Sequence, residues 1–166
     1  MPTDREYLKQ AQSGHITSIG AVNPIGVVGE AHSVELYIDK ASADATAATT
    51  TSETFSGAYV PRKALLTQVV FVPTSGGLTA NASNFGTVTI SKRDAAGANK
   101  TSVATLTTTV ASSGDLTQGA AKALVLSSTA GALTLSAGSS FTFEIAKTGT
   151  GVVVPAGKFI ATVEYV

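Results

Sequence analysis

Between residues 34 and 39 the chain alternates strictly, with Val34, Leu36 and Ile38 on one side and Glu35, Tyr37 and Asp39 on the other. That period of two is the mark of a half-buried strand. From Phe55 onward the same signal returns at short intervals. Residues 55–60 run into Pro61, and residues 65–72 run into Pro73. After the turn Thr74-Ser75-Gly76-Gly77, residues 85–92 carry Val88 and Ile90 on one face. Residues 93–99, with Asp94 and Gly97, read as the loop of a hairpin leading into a strand over 101–110. Further strands are predicted over 122–127, at Leu133 and Leu135, over 140–147 with Phe141, Phe143 and Ile145 together, and over 159–166. About eight short strands separated by glycine-bearing turns predict an all-β, antiparallel sandwich, not a βαβ sheet.

The first thirty residues follow another pattern. Thr3, Asp4, Arg5 and Glu6 fit a capping box, and Tyr7, Leu8 and Ala11 continue as a weak apolar stripe up to Gly14. A helix of about ten residues is marginal alone and must be ordered by what it packs against. From Gly14 to Gly29 the apolar residues Ile16, Ile19, Val22, Ile25, Val27 and Val28 have no clean period, and Asn23-Pro24 disfavours helix. The expected organisation is therefore an extended arm with a short helix over residues 1–30, followed by a sandwich domain over 31–166. Residues 41–52, almost all Ala, Ser and Thr, hold no large apolar group and read as a loop.

Composition narrows the function. The 166 residues suit one domain, and 11 Lys and Arg balance 11 Asp and Glu. With no net charge there is no field to attract nucleic acid or anionic lipid, so neither is expected as a partner. Nor do 18 apolar residues occur in succession, which gives no transmembrane helix. The first residues carry acids without an apolar run, which predicts no secretory signal and synthesis in a cytoplasm. The chain contains no cysteine. Disulfides, thiolate metal sites and cysteine nucleophiles are thereby excluded.

A search for chemistry returns little. His15 and His32 have no third ligand at metal-site spacing. The G-x-S-x-G of a nucleophile elbow does not occur. Lys100-Thr101 resembles the tail of a phosphate-binding loop but lacks its glycines and following helix, so it reads as hairpin loop. Glu35, Asp39, Glu53, Glu144 and Glu164 are the carboxylates available to a hydrolase, and their pattern is that of solvated acids. Tyr37 and Tyr59 are the aromatics placed to stack a ligand or pack against a neighbour. Asn81-Ala82-Ser83 and Asn99-Lys100-Thr101 match a glycosylation pattern at a frequency that abundant Ser and Thr produce by chance. These readings predict a protein that is not an enzyme and uses no cofactor or metal.

One resemblance adds to this. Residues 135–145, Thr148-Gly149-Thr150-Gly151 and residues 155–165, with Tyr59-Val60-Pro61-Arg62-Lys63, residues 69–73 and the loop from Asp94 to Gly97, form a strand rhythm with turn glycines. Over roughly residues 55–166 it resembles small jelly-roll virion proteins of tailed bacteriophages, particularly capsid decoration or cement proteins. Tail-fibre and receptor-binding domains share similar patterns. The resemblance implies a jelly roll on the outer surface of the capsid, often a homotrimer, clamping neighbouring copies of the major capsid protein. On that reading Tyr7, Leu8, Ile16, Ile19 and Val22 of the arm are the candidate contacts to capsid. The opposing expectation is that they fold back over an edge of their own sheet. The alternative function is a β domain of a phage tail or head fibre that binds a receptor or glycan. Loops 41–52 and 74–84 are the candidates for the distal face.

Overall fold

A computed structural model describes residues 31–38, 54–111, 113–150 and 153–166, with 31–38 and 54–58 described by backbone alone. The helix and arm expected over residues 1–30, and the loop 41–52, lie outside the described residues.

Ten strands follow in order: β1 (Ala31–Ile38), β2 (Thr54–Tyr59), β3 (Ala64–Pro73), β4 (Phe85–Arg93), β5 (Thr101–Thr107), β6 (Lys122–Ala123), β7 (Val125–Leu126), β8 (Thr134–Leu135), β9 (Ser140–Thr148) and β10 (Gly157–Tyr165). One sheet has the order β1-β10-β3-β6, with β8 also against β3, and the other has the order β2-β9-β4-β5-β7. Every pairing is antiparallel. The chain thus doubles back along its own length: β1 meets β10, β2 meets β9, β3 meets β6 and β4 meets β5. This wrapped ribbon is the strand order of a jelly roll, one of the arrangements by which two antiparallel sheets manage their edges.

The alternation read in the sequence fixes the core. From one sheet Leu66, Val69 and Phe71 of β3 point inward with Phe159, Ala161 and Val163 of β10. From the other come Val88 and Ile90 of β4, Val103 and Leu106 of β5, and Phe141, Phe143 and Ile145 of β9. Phe71 and Phe159 stack with ring centroids 4.7 Å apart, and Phe143 reaches across from the facing sheet to within 6.1 Å of Phe159. Two bulges break the period. Thr162 pairs with Gln68 but Val163 pairs with Leu66, so Thr67 is an extra residue in β3 and donates its hydroxyl to the Thr162 carbonyl at 3.2 Å. Ile90 pairs with Ala104 but Ser91 pairs with Ser102, which leaves Val103 extra in β5 and both Val103 and Ala104 buried. Each added residue shifts the side-chain parity by one and bends the strand.

The strand expected over 122–127 is not a single strand. Residues 122–123 pair with β3 and residues 125–126 pair with β5, so the chain crosses from one sheet to the other. Leu124 between them is buried and its N–H donates to the Val69 carbonyl, while Ser127 N–H donates to the Val103 carbonyl. A continuous strand would have covered one edge, whereas this ribbon covers both. The strand expected over 101–110 ends at Thr107, because Thr108 turns to bond Gly86 through both its backbone N–H and its hydroxyl.

Candidate interaction surface

The jelly-roll order sorts the connections into two ends of unlike chemistry. At one end lie the loops 74–84, 108–121 and 149–156. The hydrogen bonds between them are many. Leu78 and Leu116 exchange backbone bonds at 2.9 and 2.8 Å, Asn81 N–H donates to the Thr108 carbonyl, and Gly119 N–H donates to the Pro73 carbonyl. Asp115, the one ionisable residue in these three loops, is half-buried and accepts the Ala80 N–H at 2.7 Å. Asn81 Oδ1 accepts from Ser83 and Asn84, and Asn84 Oδ1 accepts the Thr150 N–H at 3.0 Å. The backbones approach so closely that a Cβ on Gly149, whose φ is +77°, would lie 2.0 Å from Asn84 Oδ1. This end is braced and offers solvent hydroxyls, amides and small apolar groups. Val110, 61% exposed, is its large apolar residue.

At the other end lie residues 60–63, the hairpin loop 94–100, and the segment 127–139, held together by Val60 N–H to the Ser139 carbonyl and Gly138 N–H to the Val60 carbonyl. Arg62, Lys63, Lys92, Arg93 and Lys100 gather here. Lys92 lies opposite Phe141, and its ammonium donates to the carbonyls of Gly131 and Thr134 at 2.9 and 2.6 Å. Partial burial lowers its pKa below the usual 10.5. Arg62 stands over the Tyr165 ring, 5.7 Å from its centroid, a cation–π arrangement. Val166 N–H donates to the Lys63 carbonyl at 3.1 Å. Tyr59 pairs with Ser140, which also pairs with Arg93, so Tyr59 and Arg93 flank β9 in one row. Three large apolar side chains are exposed at this same end: Tyr59 by 63%, Leu65 by 40% and Val166 by 58%. Ala31, the first residue of β1, pairs with Glu164 at this end.

The acids at the basic end are largely committed. Glu144 forms an ion pair with Lys100. Asp94 closes the hairpin loop: Oδ1 accepts the N–H groups of Ala96 and Ala98 at 3.0 and 2.9 Å, and Oδ2 accepts from Asn99 Nδ2 at 2.6 Å. Asn99 sits at φ +45°, a conformation Asn tolerates better than most residues. The Asn99 amide, then the Ala98 N–H, hold the Asp94 carboxyl below its ordinary 3.8. Its pKa is thus lower folded than unfolded, and its support of the loop is complete above about pH 4 and lost as pH falls through the folded pKa. The amide shifts of Ala96 and Ala98 should titrate together with a midpoint below 3.8. A midpoint at or above that value overturns this assignment.

Of the residues singled out in the sequence, Tyr7, Leu8, Ile16, Ile19, Val22, His15, Asp39 and Glu53 lie outside the described residues. His32 pairs with Val163 and Glu35 with Ile160 within β1. Glu144 and Glu164 lie in different sheets, on β9 and β10, so they form no carboxylate pair. Asn81 and Asn99 both spend their side chains on loop hydrogen bonds. No three of His, Cys, Asp and Glu come together among the described residues. Arg62, Lys63, Leu65, Arg93 and Val166 were not singled out as surface residues. Residues 59–63 carried a signal, an aromatic beside two cations, but Leu65 carried none, because the bulge at Thr67 decides which of Leu65 and Leu66 points outward.

No protein family matches the chain, and no curated protein matches it. Among solved structures, a chain in the structure of the infectious bursal disease virus Gx strain is similar over 90% of this chain, at 14% identity and a TM-score of 0.39. The match takes in only 38% of that viral chain. At that TM-score the likeness fixes neither fold nor function for this protein.

Proposed function

We propose that this chain is a structural virion protein that decorates and stabilises a bacteriophage capsid by binding the outer surface of the major capsid protein lattice. The observation that carries this reading is the meeting of two features at one end of the jelly roll. β1 begins at Ala31, opposite Glu164, at the end where Tyr59, Leu65 and Val166 are exposed, and the apolar Tyr7, Leu8, Ile16, Ile19 and Val22 precede it in the sequence. An apolar segment that leads into such a face can engage one partner surface together with it, and each contact raises the effective concentration of the next. The molecule acts mechanically, by bridging neighbouring capsid subunits, and works as a homotrimer made in the host cytoplasm. It needs no cofactor, catalyses nothing, and contacts neither nucleic acid nor membrane.

The test is co-sedimentation of the full chain with shells assembled from the major capsid protein of the encoding phage. Removing residues 1–22 should weaken binding by at least about tenfold, the loss of roughly one or two apolar side chains' burial, while the β domain keeps its far-ultraviolet spectrum. Undiminished binding by the folded, shortened chain removes the arm from the mechanism. A second reading, a receptor- or glycan-binding domain of a tail or head fibre, draws on the braced loops 74–84 and 108–121. Rigid loops lose little entropy on binding. Adsorption of the isolated chain to host cells, without shell binding, would favour it.

A further inference from the structure

We propose that the end formed by residues 59–66, 92–100 and 164–166 is a docking surface for an acidic protein surface, and that this end faces the capsid lattice. The second clause rests on the function proposed above; the first does not. Over residues 31–38 and 54–166 the chain carries eight Lys and Arg against five Asp and Glu, while residues 1–30 and 39–53 hold three against six. Over the whole of residues 31–166 the count is nine Lys and Arg against eight Asp and Glu, so the balance is nearly even and what differs is where the charges lie. Five of the eight cations among the described residues, Arg62, Lys63, Lys92, Arg93 and Lys100, lie at this end. The other three, Lys122, Lys147 and Lys158, lie toward the opposite end, where Lys147 is buried and the other two are half-buried, whereas Arg62, Lys63 and Lys100 are exposed.

The same end exposes Tyr59, Leu65 and Val166. Cations beside exposed apolar side chains suit a protein partner better than a nucleic acid. Phosphates reward the cations alone, whereas Leu and Val gain only by burial against apolar groups. The opposite loops, 74–84 and 108–121, offer no exposed charge and only one large exposed apolar group, Val110. On this proposal they form the outward face. Charge complementarity thus favours an acidic partner at the end where exposed cations stand beside exposed apolar side chains, with the braced loops turned away.

Arg62→Glu/Lys63→Glu tests the docking surface in the full chain, because both side chains are exposed and only Arg62, over the Tyr165 ring, touches the edge of the core, so an unchanged Tm is required of the variant. At about 50 mM salt the variant should bind shells roughly 30-fold more weakly than the parent, and the gap should narrow at about 500 mM, where screening shortens the reach of charge. Thr79→Glu/Thr117→Glu, which places acids in the braced loops at the opposite end, should bind as the parent does. Equal binding by the first variant, or equal loss by the second, overturns the proposal. If no form binds shells, the proposed function fails instead. The docking chemistry is then decided by titrating the labelled full chain with a peptide of about a dozen Glu, Leu and Tyr residues, and separately with a short DNA duplex. Amide shifts at 59–66, 93 and 164–166 with the peptide alone support the inference. Shifts with DNA alone, or shifts confined to other residues, overturn it.

Discussion

Phe159→Ala should destabilise the fold by about 3–5 kcal/mol, lowering Tm by roughly 10 °C in a domain of this size. Phe159 has no exposed surface and lies on β10, between β1 and β3. Its ring stacks on Phe71 in its own sheet and tilts against Phe143 in the facing one. Truncation removes a contact within the sheet and a contact between the sheets at once, and the two remaining rings, Phe71 and Phe143, are held by their own strands and do not fill the cavity. Urea unfolding should show a lower midpoint at unchanged slope. Phe159→Leu, which refills most of the volume, should recover more than half of the loss. A loss below about 1 kcal/mol for the alanine variant would mean that the sandwich relaxes around the void.

Two residues earlier the constraint is reversed. Gly157→Ala should cost about 2–3 kcal/mol by overpacking. Gly157 opens β10 opposite Pro73 of β3 and Ile38 of β1. A Cβ there would lie 2.3 Å from Phe71 Cε2, 2.5 Å from its Cζ and 2.7 Å from the Val72 carbonyl oxygen. The ring cannot swing aside, because Phe71 is wholly buried against Phe159. The added methyl must either displace that stack or part the strands. Phe71→Leu in the Gly157→Ala background should relieve the clash, so the double variant should be less destabilised than the two single costs added together. Strict additivity in thermal melts would show that the methyl and the ring do not meet.

Most of the fold is legible in the sequence for the reason that these two positions illustrate. Where one face of a strand is buried, alternation writes itself into the residues, as in Phe141-Thr142-Phe143-Glu144-Ile145. Boundaries fail where a backbone group finds a partner that pattern cannot reveal. Thr108 leaves β5 to bond Gly86, and residues 122–126 divide between two sheets because Val69 and Ala104 each hold part of them. Bulges are invisible for a related reason: Thr67 and Val103 are ordinary strand residues, and only the partner strand's register makes them surplus. The candidate surface was less legible than the fold. Cations at 62, 63, 92, 93 and 100 look scattered along the chain, and only the doubling back of β3 and β4 brings them to one end. The chemistry of that end is a property of the topology before it is a property of any segment.

The position of β10 also governs when the protein can take shape. During synthesis β1 and β3 leave the ribosome long before residues 157–165, yet in the finished sheet β10 lies between them and provides the pairing edge for both. Until that stretch appears, β1 and β3 have no partner in common and Leu66, Val69 and Phe71 of β3 lack the strand that completes their side of the core. The nascent chain must therefore wait, with its apolar strands exposed, for a segment more than a hundred residues downstream of β1. Such an order of events favours late, concerted closure and a period of dependence on the cell's holding factors.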